Sequence, residues 1–170
     1  EGALAYTHVG GSDFAQVEGG VRAAMARGFK VVRVQVAIPG NRGTYGTQTP
    51  DPQAGAVEEG LPEVETWEPG PYLRTIPKLF EHLRAAVGEE VELIHDVHER
   101  LNPVQAARLA KELEPYHLFF LEDPLRPEHK ESFRLVRAAS TTPAGTRMIS
   151  SSSTRSVATR SAMARLPQRG

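Results

Sequence analysis

The chain has 170 residues, 39% of them apolar and 24% charged, with a net charge of −1 and no cysteine. That is enough for one domain with a sizeable core. The near-zero charge gives no reason to expect nucleic acid or an anionic membrane as a partner, and the lack of cysteine excludes disulfides and thiolate zinc sites. No run approaches the roughly 18 apolar residues of a membrane helix and no signal peptide is visible, so a cytoplasmic location is expected. The first residue is Glu1 rather than Met, which suggests a fragment or a processed chain.

Ala3 to Val9 reads as a short strand closed by Gly10-Gly11. Ser12 or Asp13 can cap the helix that follows, whose Phe14, Val17, Val21 and Ala24 recur at helical spacing. Gly28 ends that helix. Lys30 to Val36 is a second strand. Val32, Val34 and Val36 share one face, and Arg33 and Gln35 share the other. In a parallel barrel the valines would meet the helices and Arg33 and Gln35 would face the axis or the mouth. An inward arginine needs anionic company.

Residues 37–70 break this rhythm with six glycines, five prolines and six acids against a single base, Arg42. A structureless segment of this length is usually a functional lid or disordered. It contains Tyr45 between Gly43 and Gly46, and Trp67, which is expected to anchor the segment by packing. A helix is expected from about Thr75, with Pro77 in its first turn and Leu79, Phe80, Leu83 and Val87 on its apolar face.

Glu89 to Leu93 rises into Ile94-His95-Asp96-Val97-His98-Glu99-Arg100. Along a strand, Ile94, Asp96 and His98 share one face and His95 and Val97 the other. A carboxylate and an imidazole about 7 Å apart on one face are costly in a core. They suit a metal ligand beside an acid–base group. Asn102 caps the next helix with Pro103 at its first position. Leu118 to Pro124 is an apolar run ending in Glu122-Asp123. Two strands one strand–helix unit apart therefore each deliver a carboxylate at the C-terminal end, where parallel α/β proteins build their sites. Asp123, before a proline, is expected to shape the turn.

Glu128 to Ala139 reads as a fourth helix packing through Phe133 and Val136. Four strand–helix repeats define an α/β chain with a parallel sheet, either doubly wound or half of a closed barrel. The pattern stops near residue 143. From Ala139 to Gly170 there are seven serines, five threonines and five arginines, with no acid and no aromatic. A partial (β/α) barrel domain over 1–143 and an irregular or disordered Ser/Arg-rich tail over 144–170 are expected.

His95-Asp96-Val97-His98-Glu99-Arg100-Leu101-Asn102-Pro103, Leu113-Glu114-Pro115-Tyr116, Phe120-Leu121-Glu122-Asp123-Pro124 and Ser132 to Arg137 resemble, in order and spacing, the D-mannonate dehydratase branch of the enolase superfamily. Gly28 to Gln35 and Pro39-Gly40 to Tyr45-Gly46 are similar too. The resemblance implies a capping domain plus a modified barrel, of which this chain would hold about four βα units: an incomplete enolase-type TIM-like (β/α) barrel. It implies Mg²⁺-dependent dehydration of a sugar acid, D-mannonate to 2-keto-3-deoxy-D-gluconate, through an enediolate. Asp96 and Glu122 match two of three metal ligands, and the third, on a fifth strand, has no counterpart. Tyr45 matches the general base, assisted by Arg33; His98 matches the acid that protonates the departing hydroxyl; His8 matches a substrate-pocket residue. The family assembles as homo-oligomers. An inactive truncated chain, or a gluconate-type dehydratase, is the alternative.

Overall fold

Val32, Val34 and Val36 alternate with Arg33 and Gln35, and the alternation separates what the fold buries under helices from what it offers to a site. The computed structural model describes residues 5–39 and 67–146. Strands β1 (Tyr6–Gly11), β2 (Val31–Val36), β3 (Glu92–Asp96), β4 (Phe120–Glu122) and β5 (Ala144–Gly145) form one parallel sheet in the order β1-β2-β3-β4-β5. Helices α1 (Phe14–Ala26), α2 (Pro69–Val87), α3 (Pro103–Leu113) and α4 (Phe133–Ala139) lie in the crossovers. Spatial order equals chain order, so the sheet has no reversal point of the doubly wound kind. That settles the choice left open by the sequence: the winding is that of a (β/α) barrel.

Local chemistry places each helix. Asp13 caps α1 by accepting from the Gln16 N–H at 2.8 Å. Val17, Val21 and Ala24 form its buried stripe, and Gly28 follows the C-cap at φ +90°, where a side chain would be strained. Gly20 lets α1 press onto β1, because a Cβ there would overlap Val9. On α3, Asn102 and Gln105 exchange backbone and side-chain bonds in a capping box, worth about 1 kcal/mol.

Several boundaries differ from the sequence reading. β1 runs through Gly10 and Gly11, and Gly11 pairs with Val36. α2 begins at Pro69, not Thr75, and holds Pro77 in its interior. Pro77 has no N–H for the helical bond. The extra N-terminal turns are held instead by burial of Tyr72 and Leu73, and Pro69 occupies the proline-tolerant start. The fourth helix opens as a 3₁₀ segment, Pro127–Ser132, before α4, which buries Phe133 and Val136 as expected. β5 lies beyond the boundary placed at residue 143: Ala144 and Gly145 pair with Leu121 and Glu122. The tail from residue 147 and most of the Gly/Pro-rich segment, including Tyr45, lie outside the described residues.

The core forms where the valine face of the sheet meets α1, α2, α3 and α4. Ile76, Leu79, Phe80 and Leu83 of α2 are fully enclosed. Leu79→Ala is expected to cost about 2–5 kcal/mol. Urea denaturation checks this; a loss below ~1 kcal/mol would mean that α2 is not packed as described. Among the described residues, no helix is long and apolar enough to cross a membrane.

Candidate metal and acid–base site

Register decides which side chains meet. In a parallel ladder, paired residues point to the same face. His8 pairs with Arg33, Arg33 with Ile94, and Asp96 with Glu122. All of these lie on the face opposite the helices, with Asp96 and Glu122 at the C-terminal ends of β3 and β4.

Arg33 Nη1 donates to Asp96 Oδ2 at 2.8 Å and to Glu122 Oε2 at 3.0 Å. The carboxylate side chains are only 3% and 7% exposed, and that of Arg33 is 13% exposed. Two anions so close and so dry would repel strongly without the guanidinium. Burial works against the charge of Arg33. The hydrogen bond and charge of Glu122, together with the charge of Asp96, outweigh it and hold the guanidinium firmly protonated. The inward arginine has the anionic company that its position demands. Tyr6, two residues before His8, places its ring 5.9 Å from the same guanidinium.

His98 reaches the site by a route that strand geometry did not anticipate. β3 ends at Asp96, and His98 and Glu99 take left-handed conformations at φ 57° and 59°. The turn folds the imidazole back, so that His98 Nδ1 lies 2.9 Å from Asp96 Oδ1, not about 7 Å away. The His98 backbone N–H donates to the same oxygen at 3.1 Å. The hydrogen bond with Asp96 is the main reason that the His98 pKa is raised above the ordinary histidine value. Burial alone would raise the pKa of Asp96. Its bond to His98 and the charges of His98 and Arg33 reverse that and hold it below the usual carboxylate value.

A third acid joins them. Asp96, Glu122 and Asp123 each offer an oxygen, and these oxygens lie within 4.8 Å of one another. Asp123 follows β4 at φ 45°, held by its own N–H to the Gly145 carbonyl and by the Glu99 N–H to its carbonyl. The sequence reading gave Asp123 only a turn-shaping role. The acid pair Glu122-Asp123 was visible, but the left-handed backbone that brings Asp123 to the same point as Glu122 was not. An all-carboxylate donor set suits a hard divalent cation such as Mg²⁺. The residues present therefore fit that ion, although β5 itself offers Ala144 and Gly145 and no acid.

His8 is exposed on the edge strand, on the same face as Arg33. Partial desolvation, then the charge of Arg33, lower its pKa. Trp67 packs against Tyr72 with ring centroids 5.3 Å apart and lies under the Arg100 guanidinium, at the start of α2. On the helix-facing side, His95 is fully buried and its pKa is pushed down to about 4, chiefly by desolvation.

Two carboxylates thus end successive parallel strands, bridged by Arg33, with His98 against Asp96. The chain belongs to the enolase C-terminal domain-like family, whose model matches residues 17–164. It is similar to the D-galactonate dehydratase family member RspA of Cellvibrio japonicus, 46% identical over 140 residues, which are 82% of this chain and 35% of that protein. A D-mannonate dehydratase of Xanthomonas oryzae pv. oryzicola is 42% identical over 143 residues, 84% of this chain and 34% of that one. The chain thus spans about a third of the length of these relatives. An enolase from Pantoea ananatis, solved with D-gluconate and magnesium, has a TM-score of 0.70 at 38% identity over 83% of this chain and 36% of its own.

Proposed function

We propose that this chain carries the metal-binding and acid-donating part of a Mg²⁺-dependent sugar-acid dehydratase acting on D-mannonate. The observation that supports this most is the convergence of Asp96, Glu122, Arg33 and His98 on one face of the strand ends. The reaction removes the proton on the carbon beside the carboxylate and expels the neighbouring hydroxyl as water. The enol so formed tautomerises to 2-keto-3-deoxy-D-gluconate.

Asp96 and Glu122, with Asp123, would hold the cation. Bound there, Mg²⁺ would neutralise negative charge on the substrate carboxylate. His98 is the acid: its bond to Asp96 favours the protonated imidazole, which can hand a proton to a departing hydroxyl. The resemblance assigns the base to Tyr45, outside the described residues. A free tyrosine has a pKa of about 10 and needs a neighbouring cation to act near neutrality. Arg33 suits that part, since its buried Nε finds no hydrogen-bond partner among the described residues. His8 would line the substrate pocket from β1.

A gluconate-type specificity is the second reading, motivated by the D-gluconate held by the Pantoea neighbour. The test is 2-keto acid formation from D-mannonate and from D-gluconate with Mg²⁺. His98→Asn is expected to lower turnover by about 10²–10⁴-fold. Turnover unchanged by that substitution rejects His98 as the acid. Preference for D-gluconate transfers the assignment to the second reading. Mg²⁺ binding without turnover of either substrate identifies these 170 residues as an inactive piece.

A further inference from the structure

We propose that Tyr72 and His95, together with Gln35, are positioning residues that set the direction of Asp96. This rests on the reading of Asp96 as a metal ligand. The register between β2 and β3 stops at Val34 and His95, one residue short of Asp96. Asp96 is paired with Glu122 on its other side, but toward β2 the backbone ladder has ended. Side chains continue it. Gln35 Nε2 donates to the Asp96 carbonyl at 2.7 Å, and His95 Nδ1 lies 3.2 Å from the Val34 carbonyl.

A carbonyl only accepts, so Nδ1 of His95 carries the proton and Nε2 is the acceptor. The Tyr72 hydroxyl therefore donates to His95 Nε2, at 2.7 Å. Phe80 packs edge-on against the imidazole at 5.5 Å, and Trp67 packs against Tyr72. Both polar side chains are buried, with every polar atom of the His95 ring engaged.

Leucines at positions 72 and 95 would fill the space without the cost of burying polar groups. What a hydrogen-bonded pair adds is a single orientation. His95 and Asp96 are adjacent and point to opposite faces, so a strand rotation that moves one moves the other. Clamping His95 from α2, and holding the Asp96 carbonyl from Gln35, steadies the carboxylate on the side where pairing with β2 has run out.

Calorimetric titration of the chain with Mg²⁺ tests this. Tyr72→Phe keeps the ring against Trp67 and removes the donor. Gln35→Met removes the link to the Asp96 carbonyl. Each is expected to raise the Mg²⁺ Kd about ten-fold, as loss of an outer partner does at metal sites. Leu83→Ala, buried on the same helix, serves as the control: it should lower Tm and leave Kd unchanged. An unchanged Kd in Tyr72→Phe, or an equal rise in Leu83→Ala, overturns the positioning role. If Tyr72→Phe does not fold, Gln35→Met decides by the same criterion. Failure of the unsubstituted chain to bind Mg²⁺ overturns the metal reading itself, and this inference with it.

Discussion

Asp96→Asn is expected to weaken Mg²⁺ binding by at least about 100-fold, the upper end of what even outer partners cost at metal sites. The size follows from the position of Asp96. It is the residue on which every neighbour converges: Arg33 on one oxygen, the His98 ring and backbone N–H on the other, and Gln35 on its carbonyl. Asparagine keeps the shape and offers a neutral oxygen, so the loss reports charge rather than packing. Mg²⁺ affinity depends strongly on carboxylate count. Glu122→Gln should behave alike, and Asp123→Asn should move Kd in the same direction. An Asp123→Asn variant with unchanged Kd removes that residue from the donor set. An Asp96→Asn variant that binds normally ends the metal assignment.

Arg33→Met is expected to destabilise the metal-free chain by about 3–5 kcal/mol, as removing one partner of a buried charge cluster does. The guanidinium is shared between two carboxylates that are almost wholly enclosed. Methionine fills part of the volume and leaves two buried anions face to face. Mg²⁺ supplies the missing positive charge, so saturating ion should restore stability, by about 2.7 kcal/mol at a hundred times Kd. The same ion should add less to the parent chain, where Arg33 already neutralises the pair. Urea denaturation with and without Mg²⁺ measures both effects. A variant as stable as the parent in the absence of metal would show that the cluster is solvated, contrary to its burial. Arg33→Lys should lose less, since an ammonium keeps the charge but not the planar fork.

The two outcomes also bear on how far the residues alone reveal the site. Asp96 and Glu122 were legible because each ends a stretch that reads as a strand, Glu122 after an apolar run, one strand–helix unit apart. Arg33 was legible because alternation along a valine-rich strand leaves it no place on the helix face. Asp123 and the close contact of His98 were not. Both depend on residues with positive φ, a conformation that local sequence signals weakly outside glycine. Tyr72 was missed for a different reason. Pro77 marked a plausible helix start, and burial of Tyr72 and Leu73 against the sheet extended α2 by further turns upstream.

Periodicity and punctuation in this chain determine the parallel strand–helix repeats, a capped helix start at Ser12 or Asp13 and another at Asn102, and the acids that end two strands. These are local effects, each settled within a few residues by side-chain spacing and backbone hydrogen bonding. Strand order, the share of Arg33 between two carboxylates, the fold-back of His98 onto Asp96 and the clamp on His95 were decided only by tertiary structure. Each joins groups distant in the chain or held in unfavoured backbone states, and such arrangements persist only when packing from several elements over-determines them.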